Sequence, residues 1–143
     1  MIFVLDASVT LSWLLADGKA TDRNYADAVL NALKRAGTMA VVPATWGLEV
    51  SNVLARAEAR TVLTEAQSGA FLEMLDAAPI RADDATFAKA LEDTLHLARR
   101  YRLSAYDASY LEVALRSGLP LATLDEDLAK AARKAGVKRF TGR

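Results

Sequence analysis

Hydrophobic residues in this chain form short continuous runs separated by longer stretches with helical spacing. Residues 2–5 are all apolar and stop at Asp6, and residues 39–42 are apolar and stop at Pro43. Runs of this length are typical of strands that helices cover on both faces, as in a parallel sheet. Shorter apolar runs predict three further strands, at residues 79–80, 119–123 and 137–140, the last of them at an edge.

Between these runs, apolar residues recur every three or four positions, which predicts amphipathic helices. Thr64 and Gln67 have the spacing of a capping box. The first helix is predicted to end at Asp17-Gly18. The predicted helices begin near Ser8, Thr21, Ala44, Thr64, Asp83 or Asp84, Ser104 and Asp125. The fifth of them is predicted to run through Phe87, Leu91, Leu95 and Ala98. This alternation predicts a single three-layer α/β domain over residues 1–143, with a mainly parallel sheet.

The composition is that of an ordinary globular domain. At 143 residues the chain is long enough to bury a core without disulfides, and it contains no cysteine. Disulfides and thiolate metal sites are therefore excluded. Asp6 interrupts the first apolar run, so no secretory leader is predicted, and the uncharged stretch 37–48 is too short to span a bilayer. We expect a soluble, cytoplasmic protein that does not bind membranes.

Basic residues are clustered, although acidic and basic residues balance at 18 each. A net charge of zero argues against indiscriminate nucleic-acid binding. Six cations nevertheless lie between residues 130 and 143 without an acid among them, and Arg99, Arg100 and Arg102 form a second cluster. The simpler interpretation is that cations favour the C-terminal ends of helices, and the alternative is a surface that contacts phosphates.

Four acidic residues are candidates for chemistry because of where they lie. Asp6 follows the first strand, Asp125 follows the fourth, and Asp107 lies at the start of a helix. Each of these three has a simpler interpretation as a turn residue or a helix cap. Glu49 is harder to explain in this way, because it shares a helix face with Trp46, where an uncompensated carboxylate is costly.

The predicted fold gives a reason for these acids to converge. In a parallel sheet, ligands bind beyond the carboxyl ends of the strands, where the connecting loops meet. Two unit charges about 4 Å apart repel by about 4 kcal/mol at an effective dielectric constant of 20. Converging carboxylates therefore stay partly protonated or hold a divalent cation. An all-oxygen site suits Mg²⁺ or Mn²⁺ and not Zn²⁺.

Four segments of the chain together resemble the PIN-domain ribonucleases, and more closely the VapC-type toxins of bacterial toxin–antitoxin pairs. The segments are Val4-Leu5-Asp6-Ala7-Ser8, Trp46 with Glu49, Asn52 and Leu54, residues 103–111, and residues 121–128. Each is unspecific alone, but their order in a chain this short is a strong signal. The resemblance covers essentially the whole length and implies an α/β/α PIN-like fold with a parallel sheet of about five strands.

The resemblance further implies a metal-dependent endoribonuclease. The acidic quartet of the family falls on Asp6, Glu49, Asp107 and Asp125, which would hold Mg²⁺ or Mn²⁺. The positions expected to support the acids are Ser8, Asn52, Ser104, Thr123 and Asp127. The basic residues expected to contact RNA are Arg99, Arg100, Arg102, Arg133 and Lys134. The family also implies a homodimer and a cognate VapB-type antitoxin whose C-terminal segment lies over the active-site groove.

Two other functions fit parts of the sequence. A non-catalytic PIN-like module that binds RNA or protein would keep the fold and the groove, but a divalent cation would not stabilise it. A receiver-like phosphoryl-transfer domain needs a lysine near the end of a late strand, and residues 119–123 contain none. His96 is the only histidine, so a ribonuclease mechanism with two histidines is excluded.

Overall fold

The computed structural model describes residues 1–15 and 17–143, and within them one parallel sheet forms the centre of the molecule. The strands are β1 Ile2–Leu5, β2 Met39–Val42, β3 Ile80–Ala82 and β4 Leu121–Ala122. They lie in the order β3-β2-β1-β4, and every neighbouring pair is parallel. Beyond β4, Arg139 forms a single parallel bridge with Leu121, so one bridged residue takes the place of the predicted edge strand. The predicted parallel sheet of about five strands is confirmed in this form.

Helices occupy most of the remaining chain. They are α1 Ala7–Ser12, α2 Ala20–Leu33, α3 Trp46–Ala59, α4 Glu65–Ala77, α5 Thr86–Lys89, α6 Leu95–Tyr101, α7 Ala105–Ser117 and α8 Glu126–Lys134. A π-helical turn, Ala90–Thr94, joins α5 to α6. The first helix ends at Ser12, earlier than predicted, and residue 16 of that prediction lies outside the described residues. Among residues 1–15 and 17–143, none of the helices has the length and apolar character needed to cross a membrane.

The helix starts test the predicted caps. Three are confirmed, because each side chain accepts a hydrogen bond from the amide three residues later: Thr64, Ser104 and Asp125. The predictions for Ser8 and Thr21 are wrong, since both residues lie inside their helices. In α1 the turn begins two residues before Ser8, because the Asp6 carbonyl already accepts a hydrogen bond from the Val9 amide at 3.1 Å.

The core explains why β1 is apolar throughout. Phe3 and Leu5 pack against α1 and α2, whereas Val4 packs on the opposite face against α7 and α8. All three are fully buried, as expected for a strand covered on both faces. The predicted three-layer arrangement is therefore confirmed, and its result is that the carboxyl end of β1 opens into a space bordered by helices from both layers.

The segment from α5 to α6 is helical as predicted, but two of its apolar residues do not face the core. Phe87 is 92% exposed and Leu91 is 86% exposed. Thr86 and Thr94 are the buried residues of α5 and the π-helical turn. The π-helical turn adds a residue to the local repeat, so the four-residue spacing of the apolar positions no longer corresponds to one helix face.

Candidate active site

The structure brings the four candidate acids to the edge of the sheet where β1 and β4 end. Asp6 follows β1, and its amide donates a hydrogen bond to the Ala122 carbonyl of β4 at 3.0 Å. Asp125 follows β4 and caps α8. Glu49 and Asp107 lie in the first turns of α3 and α7. The parallel pairing of β1 with β4 therefore places two of the acids side by side, and helix starts supply the other two.

Two hydroxyl groups hold the carboxylate of Asp6, which is 4% exposed. Its Oδ2 accepts hydrogen bonds from Ser8 Oγ at 2.6 Å and from Thr123 Oγ1 at 2.7 Å. The same hydroxyl oxygens accept hydrogen bonds from the amides of Leu124 and Asp125, both at 3.0 Å. Because each hydroxyl has a single proton, accepting from the amide leaves that proton for Asp6. This network ties Asp6 to the loop that carries Asp125.

Glu49 has one oxygen that is bonded and one that is not. Its Oε2 accepts a hydrogen bond from the Tyr110 hydroxyl at 2.8 Å. Its Oε1 is buried and has no hydrogen-bond partner among the described residues. A buried carboxylate oxygen without a donor is costly, so this atom marks a position that a cation or a water would satisfy.

Burial and mutual repulsion raise the pKa of three of the four acids. Burial raises the pKa of Asp6, and the charge of Asp125 adds to the effect against two opposing hydroxyl hydrogen bonds. Burial also raises the pKa of Glu49, with further contributions from Asp6 and Asp107. For Asp107, burial followed by repulsion from Asp125 and Asp6 raises the pKa to about 6. The four acids therefore act on one another as a single negative cluster.

Asp125 combines the role of a helix cap with membership of this cluster. Its Oδ1 accepts the Leu128 amide hydrogen bond at 2.8 Å, which begins α8. A carboxylate has two oxygens and about four lone-pair positions, so the cap does not use its full capacity as a ligand. Asp127 lies two residues further on, exposed on α8, and its charge contributes to the raised pKa of Asp107.

The predicted supporting residues differ in how they relate to the acids. Ser8 and Thr123 bind Asp6 directly, and Ser104 accepts the amide hydrogen bond of Asp107 at 3.1 Å. Asn52 is exposed on α3, and within the described part of the chain its side chain makes no hydrogen bond to an acid.

Tyr110 was not among the predicted site residues. It lies in the apolar stripe of α7 and packs in the core, which describes its ring but not its hydroxyl. A buried tyrosine hydroxyl needs a hydrogen-bond partner, and Tyr110 lies one turn after Asp107 on the same helix. These two facts were the signal in the sequence that linked it to the acids.

The donor set fits a hard divalent cation, although the side chains do not enclose one. In residues 1–15 and 17–143, no three acidic or histidine side chains stand at metal-ligating distance. The acids are nevertheless close enough to raise one another's pKa, and a buried Glu49 oxygen lacks a partner. All the candidate ligands are carboxylate oxygens, which Mg²⁺ and Mn²⁺ prefer.

The candidate RNA-contacting residues divide among separate clefts. One cleft, with a volume of about 490 Å³, is lined by Arg100, Arg102, Lys130, Lys134 and Asp127. Arg133 lines a smaller cleft beside β4, and Arg99 lines a third cleft together with Arg116. Only the first of these clefts contains Asp127, whose charge reaches Asp107. We call it the basic cleft; the cleft of Arg133 is lined by Thr123, which binds Asp6.

Comparison with known proteins identifies the family. A crystal structure of PAE2754 from Pyrobaculum aerophilum has a TM-score of 0.64 and 24% identity, covering 92% of this chain and 79% of that one. The structure of FitAcB from Neisseria gonorrhoeae has a TM-score of 0.59 and 20% identity, covering 99% of this chain and 98% of that one. At these identities the likeness shows the fold alone. No curated protein sequence matches significantly. The family model described as PIN domain matches residues 3–134, which is most of the chain, and the chain therefore belongs to the PIN-domain family.

Proposed function

We propose that this protein is a Mg²⁺- or Mn²⁺-dependent endoribonuclease of the VapC type. The observation that carries the proposal is the cluster of Asp6, Glu49, Asp107 and Asp125, in which burial and repulsion raise the pKa of three members. Such a cluster is costly for the fold alone, and PIN domains are commonly metal-dependent nucleases. A divalent cation bound by these carboxylates would offset their repulsion, and metal binding would account for the presence of the cluster.

The acids have distinct proposed roles. Asp6, Asp107 and Asp125 hold the metal, directly or through water, and Glu49 binds a second ion or orients the attacking water. A divalent cation held by these residues would supply Lewis-acid chemistry, which would lower the pKa of a water ligand and stabilise negative charge at the scissile phosphate. Ser8 and Thr123 keep Asp6 Oδ2 in one orientation by donating to it at 2.6 and 2.7 Å. The proposal assigns no role to His96, which is exposed on α6 and makes no hydrogen bond to the acids within the described residues.

The basic cleft is the proposed path of the RNA strand. Its four cations neutralise backbone phosphates, and Asp127 at its margin connects it to the acids. A strand lying there would present a phosphodiester bond to the metal ligands. Arg99 and Arg133, which line other clefts, contribute less to RNA binding in this proposal.

The partners of the protein follow from its resemblance to VapC-type toxins. We propose that it acts in the cytoplasm as a homodimer and that a VapB-type antitoxin neutralises it. The C-terminal segment of that antitoxin would cover the groove that contains the acids. Expression of the chain alone should then arrest growth, and the Asp107→Asn variant should not.

The test is cleavage of total RNA by the purified protein, with Mg²⁺ or Mn²⁺, with EDTA, and with Asp107→Asn as control. We expect discrete fragments with 5′-phosphate ends that require both the metal and Asp107. Full activity of a folded Asp107→Asn variant would refute the assignment of the site. If no RNA is cut and the melting temperature does not respond to the metal, the protein is a non-catalytic binding module.

A further inference from the structure

Tyr110 is a buried polar residue next to the acidic cluster that the proposed reaction does not use. We propose that it is a positioning residue for Glu49. Its hydroxyl fixes Oε2 of the Glu49 carboxylate, so that Oε1 is the oxygen presented to the divalent cation. This inference rests on the proposed function, because it assumes that the acidic cluster binds a metal.

The contacts of the hydroxyl join three separate elements. It donates to Glu49 Oε2 in α3 at 2.8 Å and accepts a longer hydrogen bond from the Ala7 amide, at the start of α1, at 3.4 Å. Tyr110 itself belongs to α7, one turn after Asp107. A single hydroxyl therefore connects Glu49 and the backbone beside Asp6, through hydrogen bonds, to the helix that carries Asp107.

The burial of Tyr110 makes this relation rigid. The residue is 0% exposed and packs in the core with Val4, Leu111 and Leu128. The ring cannot follow Glu49 if the carboxylate moves, because close-packed cores allow few alternative rotamers. The position of the hydroxyl is therefore set by the core, and the carboxylate adapts to it.

The free oxygen of Glu49 gives the hydrogen bond its significance. The terminal torsion of a glutamate is broad, so a carboxylate without a fixed partner samples many orientations. Here one oxygen is held by Tyr110, and the other is buried without a hydrogen-bond partner among the described residues. A tyrosine needed for the core alone would be satisfied by any acceptor, whereas the acceptor here is a carboxylate whose second oxygen is buried without a partner.

The decisive experiment measures Mn²⁺ binding by isothermal titration calorimetry for wild type, Tyr110→Phe, Glu49→Gln and the double variant. Loss of an outer partner of a metal ligand typically weakens metal affinity by about 10–100-fold. We expect a loss in this range for Tyr110→Phe. We expect no further loss when Tyr110→Phe is added to Glu49→Gln, because the hydroxyl acts only through that carboxylate.

Tyr25→Phe is the matched control. The Tyr25 hydroxyl also donates a hydrogen bond, to the Phe140 carbonyl at 2.7 Å, but it lies away from the acids. Its removal should lower thermal stability and leave Mn²⁺ affinity unchanged. An affinity of Tyr110→Phe within about twofold of wild type would overturn the inference, as would an equal loss in the Glu49→Gln background.

The outcomes separate this inference from the proposed function. If wild type binds no Mn²⁺, both fail; if wild type binds and Tyr110→Phe binds equally well, only the inference fails. Glu49→Asp provides a second test that leaves the core tyrosine in place, because the shorter side chain withdraws the carboxylate from the hydroxyl. It should reproduce the weakened affinity, and adding Tyr110→Phe to it should change nothing.

Discussion

At the scale of single residues, the site depends on hydroxyl groups as much as on carboxylates. Asp6 remains in the core because Ser8 and Thr123 donate to it, and each hydroxyl is oriented by a backbone amide. Hydrogen bonds to a charged group contribute about 1.5–3 kcal/mol each, which offsets part of the cost of burying the carboxylate. These neutral partners support the acid without cancelling its charge, so the charge remains available to a cation.

Replacing Thr123 by valine should therefore affect both the fold and the proposed metal site. The change keeps the volume but removes a donor to Asp6 and an acceptor for the Asp125 amide. We expect a loss of about 1–3 kcal/mol in the free energy of unfolding and roughly 10-fold weaker Mn²⁺ binding. Urea denaturation and calorimetry measure the two effects. Thr86→Val, which removes a hydroxyl that donates to Asp83 and accepts from the Ala44 amide, should lower stability alone; equal Mn²⁺ affinity of Thr123→Val and wild type would contradict the role given to Thr123.

Asp107 gives a prediction about pH. Its pKa is raised from 3.8 to about 6, so the native state without metal holds the proton more tightly than the unfolded state. The stability from this group is therefore complete below about pH 4 and lost as the pH rises through 6. Asparagine has no carboxyl group to ionise, so the Asp107→Asn variant does not undergo this loss of stability. Without metal, the variant should gain about 1–2 kcal/mol relative to wild type between pH 4 and 7, after allowance for solvent at the half-exposed side chain.

The measurement is urea denaturation of both proteins in EDTA across this pH range. The quantity to compare is the difference between the unfolding free energies of the two proteins at each pH. Asp6 and Glu49 also have raised pKa values and titrate in the same direction, so the pH dependence of wild type alone would not isolate Asp107. Curves that stay parallel from pH 4 to 7 would mean that burial and the neighbouring acids do not raise the pKa of Asp107. The same variant should lose RNA cleavage at every pH.

The sequence predicted which acids come together at the sheet edge but not how they are held. Asp6, Asp107 and Asp125 stand at element boundaries, and such boundaries can be recognised from apolar runs and capping patterns. Hydrogen bonds such as Tyr110 to Glu49 join residues 61 positions apart, and no local pattern encodes them. Asn52 shows the converse, because the resemblance implied that it supports the acids, whereas its side chain is exposed and makes no hydrogen bond to them within the described residues.

At the scale of elements, an ion-pair network fastens α7 to the loop after β3. Arg116 on α7 donates to both oxygens of Asp83, at 3.1 and 2.8 Å, and to Glu112 at 2.8 Å. The carboxylate side chains are only 8% and 4% exposed, while Arg116 is 28% exposed. Two buried carboxylates, those of Asp83 and Glu112, thus form ion pairs with one cation. The pair with Asp83 holds α7, the helix that carries Asp107, against the loop after β3.

Removing that cation should be strongly destabilising. Arg116→Ala leaves Glu112 buried without its partner, and we expect a loss of about 3 kcal/mol, the low end for breaking a buried ion pair because Arg116 is partly exposed. Adding Glu112→Gln should recover part of the loss. Lys89→Ala, which breaks the exposed pair with Asp93, should cost under about 0.5 kcal/mol. Similar unfolding free energies for the two alanine variants would contradict this account.

The elements themselves were well predicted where local signals dominate. The strands β1 and β2 and the capping box of α4 follow directly from apolar runs and from Thr64 with Gln67. The prediction was incomplete between α5 and α6, where the π-helical turn changes which positions share a face. Phe87 and Leu91 are therefore exposed although their spacing is that of a buried stripe, because helix register depends on packing that the local sequence does not specify.

At the scale of the whole molecule, a net charge of zero conceals a polarised surface. Asp127 lines the basic cleft, and its charge contributes to the raised pKa of Asp107 in the acidic cluster. An RNA strand is attracted by the cations and repelled by the acids until a divalent cation compensates them. Substrate binding and metal binding are therefore expected to reinforce each other, although the net charge alone predicts no affinity for nucleic acid.

Neighbouring cations on α8 allow a strict test of the RNA path. Lys134 lines the basic cleft, whereas Arg133, one residue earlier, lines a different cleft. We expect Lys134→Glu to weaken binding of single-stranded RNA several-fold and to reduce the slope of log affinity against log salt by about 0.7, the value for one phosphate contact. Arg133→Glu makes a nearly identical change of charge and should have a much smaller effect. Fluorescence anisotropy in the Asp107→Asn background measures binding without cleavage, and equal effects of the two reversals would show that overall charge, and not this cleft, attracts the RNA.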